Sequence, residues 1–208
     1  MTKQNLILVG GGRFGREVAS WIKILDLPYE VLGFIDDEKI HSDVIGPIVG
    51  HEPRHDSFYL TCFGSGPARH RIRKQLEAGG ARFANLLDPQ VRTASSLDGL
   101  SNCILLGTIG ISNNVSLGND LLIHGFASIG HDVTIMDGVT IGAHGFVGGG
   151  ATLFENCTIH PNAVILPDVA IGARAVVGAG SVAVRDVQAD TTVFGSPAKV
   201  IAYGNPDA

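Results

Sequence analysis

From position 105 onward an aliphatic residue recurs at every sixth place: Leu105, Ile111, Leu117, Ile123, Ile129, Ile135, Ile141, Val147, Leu153, Ile159, Ile165, Ile171 and Val177. Four residues after each runs a second series, from Ile109 and Val115 to Ala175 and Ser181, almost all small or β-branched. A period of six fits neither the 3.6-residue stripe of an amphipathic helix nor the alternation of a half-buried strand. It fits a chain that lays down a short strand and turns a corner in every hexad. The glycines at the second hexad position (Gly118, Gly130, Gly142, Gly148, Gly172, Gly178) read as those turns. Residues 105–182 hold 14 of the chain's 28 glycines and one of its 15 basic residues, Arg174, so this half is built differently from what flanks it.

The hexads resemble those of the hexapeptide-repeat acyltransferases. The resemblance implies a left-handed parallel β-helix with three hexads per coil; the handedness comes from the resemblance, because parallel crossovers are otherwise right-handed. Residues eighteen apart then stack at a strand spacing of ~4.8 Å. The expected organisation is an α/β domain over 1–88, a polar linker over 89–104, the β-helix over 105–182 and a tail over 183–208.

Among 208 residues, 45% are hydrophobic and 17% charged, enough to bury a sizeable core. A net charge of −5 and the lack of any Lys/Arg run argue against a nucleic acid or an anionic membrane as partner. No stretch reads as a signal peptide or a membrane span. Cys62, Cys103 and Cys157 are odd in number and lack metal-ligand spacing, which suits reduced thiols and a cytoplasmic location.

The first half reads as a strand at 5–9, a glycine turn at 10–15, a helix at 16–25, apolar strands at 31–35 and 58–63, a basic helix at 68–78 and a last strand at 83–87, hence a small parallel sheet. Gly10, Gly12 and Gly15 form G-x-G-x-x-G between strand and helix, with Asp36 about 20 residues on, as in dinucleotide sites. Only one mononucleotide-binding half is present, however, so NAD is not expected. Such a turn still offers backbone amides to a diphosphate.

A half-Rossmann unit followed by hexads resembles the sugar-nucleotide acetyltransferases of the sialic-acid O-acetyltransferase and bacillosamine-pathway N-acetyltransferase type. The likeness rests on the glycine turn, the GFIDDE stretch at 33–38, CFGSGPARHRI at 62–72, the hexads and the ending VFGSPAK at 193–199. It implies that Gly12, Arg13 and Phe14 take the diphosphate and sugar, Asp36 and Asp37 the ribose or base, and Gly64 the edge of the third strand. The alternative is that the two aspartates only end a strand.

Of four histidines in the hexads, His124 and His160 share a wall and read as filler. His131 differs. It precedes Asp132, a carboxylate able to orient the ring, and stacks over Gly149 of Gly148-Gly149-Gly150, where missing side chains leave room and a free N–H. Its segment, 128–133, resembles the family's catalytic one. That implies His131 as general base, Asp132 as its partner and the Gly149 amide as oxyanion donor, with direct transfer and no acyl-enzyme. Where relatives carry a second histidine near the thioester, this chain has Thr140; His144 is a substitute candidate. By the same resemblance Ala179, Arg185 and Lys199 line the path of coenzyme A.

The expected reaction is acetyl transfer from acetyl-CoA to the amino group of a nucleotide-linked amino sugar, in a homotrimer, without metal. Alternatives are O-acetylation of a sugar, a γ-type zinc carbonic anhydrase using prism histidines, and a non-catalytic NAD or nucleotide module.

Overall fold

A computed structural model describes residues 3–38 and 41–204. The N-terminal unit runs β1 (Gln4–Val9), α1 (Arg13–Ile24), β2 (Tyr29–Ile35), β3 (Val44–Gly46), β4 (Ser57–Thr61), α2 (Gly66–Ala78) and β5 (Arg82–Phe83). These strands form a parallel sheet in the order β3-β2-β1-β4-β5. The continuous apolar runs of β1 and β4 are buried on both faces, as strands covered by helices must be. α1 begins at Arg13 rather than Arg16, since Gly12 already stands as its N-cap. It buries Gly15, Val18 and Ile22, one face at three- and four-residue spacing. A Cβ on Gly15 would collide with the Gly10 carbonyl, so helix and turn close on each other only through glycine. Ser65 caps α2 by accepting from the Ala68 amide.

The stretch expected as one strand at 83–87 is two. β5 ends the N-terminal sheet, and β6 (Leu86–Leu87) pairs with Ile104 and Leu105 of the prism. Residues 89–104, expected as a linker, carry β7 (Val91–Thr93), which pairs with Ile109–Ile111. The stretch is therefore part of the first coil. Its signal is weak because β7 is only three residues long and shows no buried side chain. Beyond the hexads, Thr191–Phe194 extends the prism in parallel and Lys199–Tyr203 returns antiparallel along it.

The prism has three walls. Wall one is the eight-stranded sheet that starts at β6, wall two the six-stranded sheet that starts at β7, and wall three the four-stranded sheet from Ser116–Leu117 to Ala170–Ile171. Register is eighteen residues throughout the central coils, for example Ile129 with Val147 and Ile135 with Leu153. The two hexad series point inward and make one column of buried aliphatics. At about 1.5–3 kcal/mol per buried Ile, Leu or Val, this column is the main stabilising term.

The second-position glycines are not the corners. Left-handed backbone falls two places later, at Asn114, Asp120, Phe126, Asp132, Gly138, His144, Gly150, Asn156, Asn162, Asp168, Arg174 and Gly180. A glycine at the second position has another purpose: a Cβ on Gly130 would lie 2.6 Å from the Gly149 nitrogen of the next coil. Asn and Asp tolerate left-handed φ, which is why the corners are not all glycine.

The two units meet across wall one. Leu6, Leu8, Val18 and Ile22 share a buried cluster with Ile104 and Leu122. Beside it lies a buried polar joint. Asp120, fully enclosed, accepts from Arg73 Nε (2.7 Å) and Asn102 Nδ2 (2.7 Å) and pairs with His70 Nδ1 (2.8 Å). Arg69, also fully enclosed, donates to the carbonyls of Asp120, Phe63, Gly64 and Gly138. Burial lowers its pKa to about 10.

Candidate active site

His131 stands on the corner where wall two turns into wall three. Its Nδ1 lies 2.6 Å from Asp132 Oδ2, and the other Asp132 oxygen accepts from Asn114 Nδ2 at 2.5 Å. These two bonds hold the Asp132 carboxyl below the ordinary aspartate range, Asn114 contributing first. An ionised Asp132 can only accept, so it favours the tautomer in which Nδ1–H donates to Oδ2 and Nε2 carries the free lone pair. A Cβ on Gly149 would lie 2.9 Å from both Cε1 and Nε2. The Nε2–Cε1 edge of the ring thus faces bare backbone, and the Gly149 amide has no partner among the described residues. The ring carbonyl neighbour is also fixed, because the Gly150 amide donates to the His131 carbonyl at 2.9 Å.

Along the same corner, later in the stack, stand Pro167 and the shortened turn that carries Arg185, where the Ala170 amide binds Asp186. Arg185 and Lys199, both exposed, line one cleft of about 450 Å³ with Ala183 and Pro197. Ala179 lies elsewhere. Its neighbour Gly180 bonds to Pro161 at the corner between walls one and two, so one chain does not bring Ala179 to His131.

Thr140, expected beside the thioester, has its hydroxyl turned into the joint between the two units. It is 8% exposed, and its Oγ1 accepts from Arg69 at 2.9 Å and faces the Gly64 carbonyl at 3.4 Å. The hydroxyl belongs to the buried joint, where it completes the environment of the Arg69 guanidinium. His144 sits at the corner between walls one and two, stacked on the exposed Phe126 ring at 4.9 Å. It does not approach His131 within the chain.

The nucleotide-loop residues converge at the carboxyl ends of β1 and β4, the neighbouring strands between which the sheet order reverses, where open α/β sheets bind ligands. Gly12 and Arg13 are exposed, and a Cβ on Gly12 would meet nothing. Asp36 accepts from the Gly11 amide at 2.7 Å, so it shapes the turn, while Asp37 accepts from the Ile48 and Val49 amides at 2.9 Å. Both also border a cleft of about 300 Å³ with Val44, Gly46 and Pro47. Gly64 is exposed on top of β4, its carbonyl bound to Arg69.

Four residues that the sequence left unassigned or read as filler stand beside the glycine turn or in a second cleft between α1 and the prism. His41 Nε2 is 2.9 Å from the Gly11 carbonyl. Trp21 and Glu17 of α1 share a cleft of about 440 Å³ with His124, Phe126 and His144. His124, expected as filler, is half-buried 6.2 Å from the Phe14 ring, and desolvation lowers its pKa, which keeps it neutral near pH 7.

Residues 150–183 match the family described as bacterial transferase hexapeptide (six repeats). The matched residues are stacked coils of the prism. Among solved structures, a mutant of perosamine N-acetyltransferase from Caulobacter crescentus in complex with CoA and GDP-perosamine superposes with a TM-score of 0.74 at 20% identity, over 95% of this chain and 97% of that one. WeeI from Acinetobacter baumannii gives 0.70 at 20% over 96% and 100%, and the acetyltransferase domain of PglB from Neisseria gonorrhoeae 0.63 at 20% over 96% and 100%. At such identity the likeness concerns fold: an α/β unit followed by a left-handed β-helix. Curated relatives include serine acetyltransferases from Bacillus pumilus (34% identical over 96 residues) and Mycobacterium tuberculosis (37% over 82). These matches span 45% and 38% of this chain and 44% and 36% of the relatives, so the chain spans less than half the length of either. No helix among the described residues is long and apolar enough to cross a membrane.

Proposed function

We propose that the chain transfers an acetyl group from acetyl-CoA to the amino group of a nucleotide-linked amino sugar. The observation that carries this reading is the His131–Asp132 dyad with its Nε2 edge against Gly149. The sugar amine attacks the thioester carbonyl while Nε2 accepts its proton; the new N–C bond forms and a tetrahedral oxyanion is held by the Gly149 amide. Collapse breaks the C–S bond, and the imidazolium returns the proton to the departing CoA sulfur. Asp132 stabilises the imidazolium between these steps.

Arg185 and Lys199, brought to one cleft on the prism border, suit the phosphates of the coenzyme. Gly12, Arg13, Phe14, Asp36, Asp37 and Gly64 surround the crevice in which the nucleotide would lie. That crevice belongs to a unit packed on wall one, whereas His131 occupies the corner opposite wall one. The reaction therefore needs the nucleotide crevice of one protomer and the His131 corner of another, in keeping with a homotrimer. GDP-perosamine, an amino-sugar nucleotide, is what the Caulobacter protein holds.

The test is a panel of UDP-, GDP- and dTDP-linked amino sugars, a sugar hydroxyl acceptor and L-serine, each with acetyl-CoA and free-thiol detection. Burial raises all three cysteine thiols, Cys103 to about 12, so the folded chain adds no background. Thiol release with an amino-sugar nucleotide supports the reading. Release with L-serine alone, or with none of them, overturns it.

A further inference from the structure

We propose that Asn114 is a positioning residue for His131, acting through Asp132 without touching either substrate. The inference rests on His131 as the base. Asn114 and Asp132 are eighteen residues apart and both take the left-handed corner conformation, with φ of 57° and 59°. Stacked coils therefore set one side chain directly over the other, and the Asp132 amide is fixed by donating to the Asn113 carbonyl at 3.2 Å.

A carboxylate with one oxygen on an imidazole can swing about its Cβ–Cγ bond unless the other oxygen is held. Here the Asn114 amide holds it at 2.5 Å, while Oδ2 lies 2.6 Å from His131 Nδ1. All three side chains are on the exterior, so nothing packs the carboxylate in place. The donor fixes its plane, and the plane fixes which way Nε2 points. Without Asn114 the carboxylate rotates toward water, and the ring loses the partner that selects its tautomer. Charged groups facing this corner are Asp132 itself and, on the following coils of the same stack, Asp168, whose Oδ1 faces Gly150, with Arg185 and Asp186 in the shortened turn beyond. The last three lie past Gly149 in the stack and not between Asn114 and the ring.

The substitutions respect the backbone. Asn114→Gly removes the donor and accepts positive φ, and Asn114→Asp keeps the shape but replaces a donor with a second carboxylate. The ring nitrogens of His131 are followed by proton–nitrogen correlation NMR across pH, beside steady-state kinetics. Expected for Asn114→Gly are a mixed tautomer at high pH and a fall in kcat of about tenfold to a hundredfold, with KM for both substrates unchanged. Expected for Asn114→Asp is a shift of the His131 titration and of the acidic limb of kcat/KM to higher pH, because another negative charge favours the imidazolium. Unchanged tautomer and titration in both variants overturn the proposal. If His131→Ala keeps full turnover, the acyl-transfer reading fails on its own, and the NMR result still judges Asn114.

Discussion

His131 and Gly149, eighteen residues apart, face each other on adjacent coils so closely that a methyl group on Gly149 would stand 2.9 Å from Nε2. The backbone at Gly149 is not in the left-handed region, so alanine strains nothing except this contact. Gly149→Ala should leave the thermal midpoint nearly unchanged and lower kcat by about a hundredfold, the cost of misplacing a reacting group by roughly 1 Å. Melting curves and initial rates on one preparation check both halves of the statement.

Asp132 is held below the ordinary aspartate range by Asn114 and His131, so it remains a carboxylate across the neutral range. The acidic limb of kcat/KM then reports imidazole protonation, and rate falls as pH falls. Asp132→Asn removes the charge that favours the imidazolium. Its acidic limb should move to lower pH and its kcat drop by about 10² or more. A limb that stays in place would detach Asp132 from the base.

The joint between the units is polar and enclosed, which makes it intolerant of losing one partner. Asp120→Ala leaves Arg73 without the carboxylate at its Nε, and should cost about 3–5 kcal/mol in urea unfolding. Lys3 and Asp26 pair at the surface, where solvent screens them, and Lys3→Ala should leave the urea midpoint unchanged.

Much of this fold is legible in sequence because its period is local: six residues define a strand and a corner, and eighteen define a neighbour. His131 over Gly149 follows from that count alone. Glycine misleads where it marks close approach of coils, as at Gly130, instead of left-handed φ, which Asn114 and Asp132 adopt. The Thr140 contact escapes the sequence for a different reason. Its partner Arg69 lies 71 residues away on α2, and no periodicity in the hexads announces a residue of another unit. The same holds for His124, which meets Phe14 only once α1 is laid on wall one.

Because the nucleotide crevice and the His131 corner lie on opposite sides of one prism, two damaged chains should repair each other. Gly12→Asp caps α1 while setting a negative charge at the diphosphate position, and His131→Ala removes the base. Each variant alone should be inactive. After denaturation and refolding together in equal amounts, random assortment into the trimer proposed above should recover about a quarter of wild-type turnover, since each shared site would need one intact half from each neighbour. No recovery would place both halves in one chain.

The most direct measurement is acetylated product, followed by mass spectrometry, from wild type and His131→Ala with acetyl-CoA and an amino-sugar nucleotide that the wild type accepts. Loss of about 10²-fold or more in kcat, with CoA and nucleotide binding retained, is the expected result. Wild-type turnover by His131→Ala would contradict the assignment of the base, whatever the sugar.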